Sequence, residues 1–225
     1  MLHQPYTTYD NNTHVNNSSS DSRAIYQQNP SSKPMTAKLI SFKRHNHISF
    51  VNHSLWRIHS GYVRTLTWNT EGECVPLGFW STGDIVGYPL AQTYPCEAEC
   101  LTSVEAEYLS MNHPLSRDMV LNQVRQSNSL LRIAHCRGSE QRVLQFVCWL
   151  AEYFGTATAK GIQIALRLTH QEIAESIGTT RVTVTRLLKS LERKGHIVWK
   201  PNEKLVFRKT FEQCYVRSGT DHQRM

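Results

Sequence analysis

The stretch that decides the fold is residues 168–191, LTHQEIAESIGTTRVTVTRLLKSL. Thr169 is suited to cap a first short helix, and Glu172, three residues later, completes a capping box. Gly178 supplies a tight turn, and Thr180 is suited to cap a second helix over 180–191. Because apolar residues recur at spacings of three and four, the second helix has one inner face. This spacing predicts a helix-turn-helix whose second helix buries Val184, Leu187, Leu188 and Leu191.

The outer face of the second helix carries the residue types that read DNA bases. Arg181 and Val182 lie in its first turn, the part of a recognition helix that reaches base edges. An arginine can donate two hydrogen bonds to guanine, and a valine can pack on a thymine methyl group. We therefore predict double-stranded DNA as a partner, read by Arg181, Val182 and Arg186. The side chains expected at the phosphate backbone are Thr169, His170, Thr179, Thr180, Thr183, Thr185, Lys189, Lys200 and Lys204.

The segment after the second helix extends this DNA-binding unit. Residues 195–200 and 205–209 have the pattern of two strands, and the polar residues 201–204 between them suit a hairpin that forms a wing. The net charge points to the same part of the chain. Residues 1–159 contain 12 basic and 12 acidic residues, whereas residues 160–225 contain 13 basic and 6 acidic residues, an excess of 13 − 6 = +7. A basic region of this kind suits a polyanionic partner, although charge alone also fits a merely soluble tail.

The rest of the chain divides by composition into three parts, which gives an α+β fold. Residues 1–36 are rich in Asn and Ser and predict a disordered polar arm. Residues 37–112 alternate short β-like segments with turns and predict a β-roll. Residues 113–136 predict a long helix, followed by the winged helix-turn-helix domain over 137–225. A narrow stripe on the long helix suits either a homodimer seam or packing on the β-region, and it contains Leu121, Val124, Asn128 and Leu131.

On these residues the chain resembles the CRP/FNR family, and its helix-turn-helix is most similar to that of NtcA-type nitrogen-control regulators. The match rests on Gln171-Glu172-Ile173-Ala174, Gly178 and residues 179–188, with a weaker match around Gly83-Asp84-Ile85-Val86-Gly87. The resemblance implies a β-roll sensor like a cyclic-nucleotide-binding domain, a dimerisation helix, and a homodimer on a palindromic operator. It also implies RNA polymerase as a partner in transcription regulation.

The chain departs from the family where an effector would bind. Residues 83–100 contain no arginine to hold a phosphate, while Glu97 and Glu99 would repel one, so we expect no dependence on a cyclic nucleotide. No cysteine precedes Cys74, which argues against an iron–sulfur centre, and we predict no cofactor. A 2-oxoglutarate effector, suggested by the likeness to NtcA, would need cations, for which Arg125 and Arg132 are the candidates. The effector stays open.

Two groups of residues allow other interpretations. Cys96 and Cys100 suit a redox switch or a metal pair, but buried thiols are more common. His45, His47, His53 and His59 could ligate a metal with Cys74, although strands often carry surface histidines, and we predict no metal site.

Enzyme motifs are missing from the sequence, so we predict no catalytic activity. No signal peptide or membrane span is apparent either, and we expect a cytoplasmic protein. The alternative function is a ligand- or redox-sensing module that acts mainly through protein partners.

Overall fold

Eight short strands form the first part of the computed structural model, which describes residues 39–50, 54–199 and 206–207. The strands are β1 (Leu39–Phe42), β2 (His47–Ser49), β3 (Leu55–Ser60), β4 (Val63–Trp68), β5 (Cys74–Trp80), β6 (Ile85–Gly87), β7 (Glu97–Cys100) and β8 (Val104–Leu109). They pair in two antiparallel four-stranded sheets, ordered β1-β8-β3-β6 and β2-β7-β4-β5. A short helix, α1 (Tyr88–Ala91), follows β6. This arrangement confirms the predicted β-roll; the polar arm over 1–36 lies outside the described residues.

The long helix, α2 (Arg117–Ala134), begins at Ser116, whose hydroxyl accepts a hydrogen bond from the backbone N–H of Met119. One face of α2 packs on the β-roll. There the side-chain amide of Gln126, which is 1% exposed, donates to the backbone carbonyl of Phe79 at 2.6 Å and accepts from its N–H at 3.1 Å. Because both groups of a strand residue are satisfied by one side chain, α2 and β5 are held in a fixed register.

The next helix, α3 (Ser139–Phe154), forms the centre of the largest core cluster. Its Phe146 and Trp149 pack against Phe79 of the β-roll, with ring centroids 5.9 and 5.7 Å apart. The same cluster continues into the helix-turn-helix through Ile173, Val184 and other apolar residues. Burial of these apolar surfaces therefore holds the β-roll, α2, α3 and the helix-turn-helix in one packed unit.

Two helices and four strands complete the described chain: β9 (Gly155–Thr158), β10 (Gly161–Ile164), α4 (His170–Ser176), α5 (Arg181–Arg193), β11 (Ile197–Val198) and β12 (Val206–Phe207). The wing pairing of β11 with β12 is confirmed for these residues. The sequence analysis assigned no strands between α3 and α4, yet β9 and β10 extend the wing to a sheet ordered β11-β12-β10-β9. Gly161 makes this possible, because a Cβ there would lie 2.5 Å from the carbonyl oxygen of Phe207. In the part of the chain that is described, no helix has the length and apolarity to cross a membrane.

Candidate nucleic-acid interface

The turn between α4 and α5 is built as the sequence predicts. Thr169 and Glu172 form the capping box, in which the threonine hydroxyl accepts from the Glu172 N–H and the glutamate accepts from the Thr169 N–H. Gly178 adopts φ +61°, a left-handed conformation that favours glycine. The N–H of Thr179 then returns to the carbonyl oxygen of Ala174 at 3.0 Å. These bonds fix where α5 begins relative to α4.

Helix α5 has one buried face and one exposed face, as the sequence predicts. Its inner stripe of Val184, Leu187, Leu188 and Leu191 is buried, and Thr180 caps it by accepting a hydrogen bond from the Thr183 N–H at 3.2 Å. The helix ends at Arg193, two residues later than predicted. Its outer face is open to solvent: Val182 is 78% exposed, and Arg181, Arg186 and Lys189 are exposed as well.

Removing the Thr180 cap should weaken the start of α5. We expect Thr180→Ala to lower the free energy of unfolding by about 1 kcal/mol, because the N–H of Thr183 loses its partner. Chemical denaturation followed by circular dichroism measures this loss. Thr180→Ser is the control, since it keeps the hydroxyl, and a Ser variant that is destabilised as much as the Ala variant would contradict the capping role.

Several residues predicted to contact phosphates form hydrogen bonds with other groups of the protein. Thr183 accepts a hydrogen bond from the Thr180 hydroxyl at 3.0 Å, and the Thr185 hydroxyl donates to the carbonyl oxygen of Arg181 at 2.9 Å. Thr185 also bonds Nδ1 of His170 at 2.8 Å. Burial, followed by the charges of Arg181 and Lys189, lowers the pKa of His170. The lowered pKa favours the neutral form of this imidazole beside a basic surface. Lys200 and Lys204 lie outside the described residues.

Arg142 of α3 supports the turn and was missed by the sequence analysis. Its Nη1 donates to the carbonyl oxygens of Ile177 at 2.8 Å and of Gly178 at 3.0 Å. These carbonyls end α4, where a cation is also favoured by the helix dipole. Because a single arginine on an otherwise helical pattern carries no signal of its partners, only the fold reveals this contact.

The candidate dimer stripe of α2 is largely open to solvent in the single chain, although Leu131 also lines an open cavity beside β5. Val124 is 50% exposed and Leu131 is 59% exposed, Asn128 is exposed, and Leu121 is half-buried. The packing on the β-roll uses other residues of α2, among them Gln126 and Ile133. The two uses of α2 that the sequence left open therefore involve largely different residues of the helix.

A cavity of about 90 Å³ lies between the β-roll and α2. The described residues that line it are uncharged: Thr65, Leu77, Val86, Gly87, Leu90, Ala91, Gln123 and Ser127. The candidate effector residues Arg125 and Arg132 are exposed and are not among them; Arg132 instead donates to Gln145 of α3 at 3.2 Å. The sequence argument that Glu97 and Glu99 repel a phosphate needs correction, because neither lines this cavity. What disfavours an anionic ligand is the lack of a cation among the described lining residues.

Glu99 instead belongs to a cluster of charged groups between the β-roll and α4. Arg64, 5% exposed, pairs with Glu99 at 2.7 Å and with Glu175 of α4 at 2.7 Å. Burial raises the pKa of Glu99, but hydrogen bonds from His45 and Arg64 and the charges of Arg64 and His47 outweigh it, so the pKa lies below its ordinary value. Sequence reasoning missed this cluster, because its members lie 35 and 111 residues apart.

The same cluster contains a group of potential metal ligands. One ligand atom each of His45, Glu99 and Glu172 lies within 4.8 Å of the others. It differs from the grouping of four histidines with Cys74 that the sequence suggested. The Arg64 guanidinium already pairs with Glu99, and a cation there opposes a second one.

Cys96 and Cys100 do not form a disulfide, and both thiols are free. Burial, followed by the charge of a neighbouring glutamate, raises the pKa of each thiol to about 11. Since the thiolate is the reactive form, these thiols have little reactivity near neutral pH. This favours the interpretation of both residues as structural thiols, with Cys100 buried and Cys96 half-buried.

Comparisons with known proteins agree with the class defined by this geometry, a DNA-binding protein of the winged helix-turn-helix class. Residues 141–209 match the model of the Crp-like helix-turn-helix domain. The chain is 42% identical over 146 residues to the regulatory protein CysR of Synechococcus elongatus, covering 64% of this chain and 71% of CysR. It is 51% identical over 65 residues to the global nitrogen regulator of Nostoc sp., covering 29% of each chain.

Solved structures share the whole fold at low identity. FixK2 from Bradyrhizobium japonicum superimposes with a TM-score of 0.65 at 16% identity, over 81% of this chain and 97% of its own. A CRP-family regulator from Thermus thermophilus gives a TM-score of 0.63 at 19% identity, over 78% of this chain and 95% of its own. The chain belongs to the CRP/FNR family of transcription regulators. It is a regulator with a helix-turn-helix DNA-binding domain, as the sequence predicts.

Proposed function

We propose that this chain binds a palindromic DNA operator as a homodimer and regulates transcription without a cyclic nucleotide. The observation that carries the proposal is the outer face of α5, where Arg181 and the 78% exposed Val182 lie in the first turn and Arg186 one turn later. A helix whose opposite stripe is buried can present these side chains to the major groove without unfolding. Arg181, Val182 and Arg186 then read bases, and Lys189 and the neighbouring threonines contact phosphates.

The exposed stripe on α2 supports the homodimer. Val124 and Leu131 leave apolar surface in water that a second copy of α2 would cover, and Asn128 between them would fix the register. We accordingly assign residues 37–112 to a sensor-like domain, 113–136 to dimerisation and 137–225 to DNA binding. A two-fold symmetric dimer requires a two-fold symmetric operator. Membership of the CRP/FNR family supports RNA polymerase as a partner.

The uncharged cavity supports independence from cyclic nucleotides. A cyclic nucleotide carries a phosphate, and burying that charge without a paired cation is strongly unfavourable. The described residues around the cavity of about 90 Å³ provide no such cation.

Selection of bound sequences from a random DNA pool tests the proposal directly. With the full chain at near-physiological salt and no added ligand, we expect enrichment of a two-fold symmetric site. Addition of cyclic AMP should change neither the selected sequence nor the affinity. Salt-sensitive binding to all sequences alike would contradict operator recognition, and a site enriched only with cyclic AMP would contradict the independence from it.

A further inference from the structure

One buried guanidinium connects the β-roll to the helix-turn-helix. Arg64 lies on β4 and is 5% exposed. Its Nε and Nη2 lie 2.8 and 2.7 Å from Oε2 of Glu99, its neighbour across the sheet on β7. On its other side Nη1 donates to Oε2 of Glu175, on α4, at 2.7 Å. The fork of one arginine therefore holds two carboxylates, one in the sensor-like domain and one in the DNA-binding unit.

The surroundings make this contact directional and hard to replace. Burial opposes the charge of Arg64, but its bonds and charge interactions with Glu99 and Glu175 prevail and raise its pKa above the ordinary value. Glu175 is fixed in turn, because its Oε1 accepts from Gln171 of α4 at 3.0 Å. A lysine carries the same charge but lacks the planar fork, so it would not bond both carboxylates in this geometry.

We propose that Arg64 is a positioning residue that fixes the recognition helix relative to the dimer axis. This rests on the proposed homodimer and its palindromic operator. The two hydrogen bonds between Gln126 and Phe79 fix the β-roll to α2, the proposed dimerisation helix. A contact between the β-roll and α4 therefore also fixes α4 relative to α2. Because the turn at Gly178 fixes α5 relative to α4, the position of α5 is fixed as well.

Fixing α5 matters because two recognition helices must meet two half-sites at once. Half-sites read by a helix-turn-helix dimer lie about one helical turn of DNA, roughly 34 Å, apart. A rigid α4 presents both helices at one separation before DNA arrives, which removes an ordering cost from binding. If α4 is held less firmly, α5 keeps its base-reading face, but the two recognition helices of the dimer no longer have a fixed separation. The Arg64 contact should therefore affect binding to a complete operator and leave a half-site unaffected.

The test measures the binding of the full chain to three DNA duplexes by fluorescence anisotropy. They are the selected palindrome, the same palindrome with two base pairs added at its centre, and a single half-site. Glu175→Gln removes the negative charge of the α4 partner of Arg64 and leaves the pair with Glu99 intact. We expect it to weaken binding to the palindrome about tenfold, the size of the difference between a hydrogen bond to a charged acceptor and one to a neutral acceptor, with no change on the half-site. The preference for the original spacing should shrink by the same factor.

Two variants sharpen the result. Glu105→Gln makes the same chemical change on β8, where Glu105 accepts from the Ser60 hydroxyl of β3, and it should bind all three duplexes like the parent. Arg64→Lys should reproduce the loss of spacing preference because the fork is gone. Half-site binding requires a folded helix-turn-helix, so unchanged half-site affinity also shows that the variants are folded.

The outcomes separate this role from the proposed function. A parent chain that binds palindrome and half-site alike contradicts the homodimer and, with it, the role of Arg64. A parent that prefers the palindrome, with a Glu175→Gln variant that keeps this preference and its spacing dependence, contradicts the role of Arg64 alone. Equal losses on the palindrome and the half-site also overturn it, since they indicate a general weakening of the fold.

Discussion

Replacing Val124 and Leu131 together by glutamate should convert the chain to a monomer and weaken binding to the symmetric operator by about 100-fold or more. Both residues are at least half exposed in the single chain, so the fold loses little. In the dimer, the two copies of each glutamate would face one another, and their charges would be desolvated without an opposite charge to pair with. Each chain would then bind one half-site, without the gain that comes from linking two binding events.

Analytical ultracentrifugation and operator binding measure the two parts of this prediction. The matched control is Leu39→Glu with Tyr94→Glu, which adds the same charge at apolar residues of the β-roll that are 49% and 88% exposed. The control should stay dimeric and bind the operator like the parent. A Val124→Glu/Leu131→Glu variant that sediments as the parent does would place the dimer contact elsewhere.

Local patterns predicted the helix-turn-helix to within two residues. The caps Thr169 and Thr180, the left-handed Gly178 and the buried stripe of α5 each depend on neighbours within seven residues. Interactions at this range are set by helix periodicity and backbone conformation, which a sequence shows directly. Thr180 is an example, because its role as a helix cap follows from its position four residues before Val184, the first buried residue of α5.

The interactions that the sequence did not reveal connect distant segments. Arg64 is one charged residue in a β-like pattern, and nothing near it identifies Glu99 or Glu175 as its partners. Glu99 was accordingly taken for a group that repels a phosphate, whereas it neutralises an arginine. The strands β9 and β10 were missed for a related reason. Gly155-Thr156-Ala157-Thr158 pairs locally with β10 but has no large apolar residue, and β10 joins the wing through β12, more than 40 residues later.

The assignment of the DNA-reading residues remains a prediction, because it depends on the position of DNA as well as on exposure. Exposure of Arg181 and Val182 is a necessary condition, and the structure meets it. It does not by itself separate a base reader from a phosphate contact, since both lie on the same exposed surface. Only binding to DNA of different sequences separates the two roles.

Arg181→Ala should therefore weaken binding to the selected operator by about 1–3 kcal/mol and relax the base preference at the position it reads. The loss arises because a guanine would keep its acceptors without the two donors of the arginine. Random DNA should be bound almost as before, since the remaining basic residues still contact phosphates. Titration of the variant with the operator, with operators changed at single positions, and with random DNA measures all three effects.

Lys189→Ala is the matched control, because Lys189 is also an exposed cation of α5 but lies two turns further along the helix. It should weaken binding to operator and random DNA by similar factors and reduce the dependence of affinity on salt by about one ion. The two variants remove the same charge, so any difference in base preference between them reflects what Arg181 reads. Equal losses for Arg181→Ala on operator and random DNA would instead make Arg181 a phosphate contact and leave base reading to Val182 and Arg186.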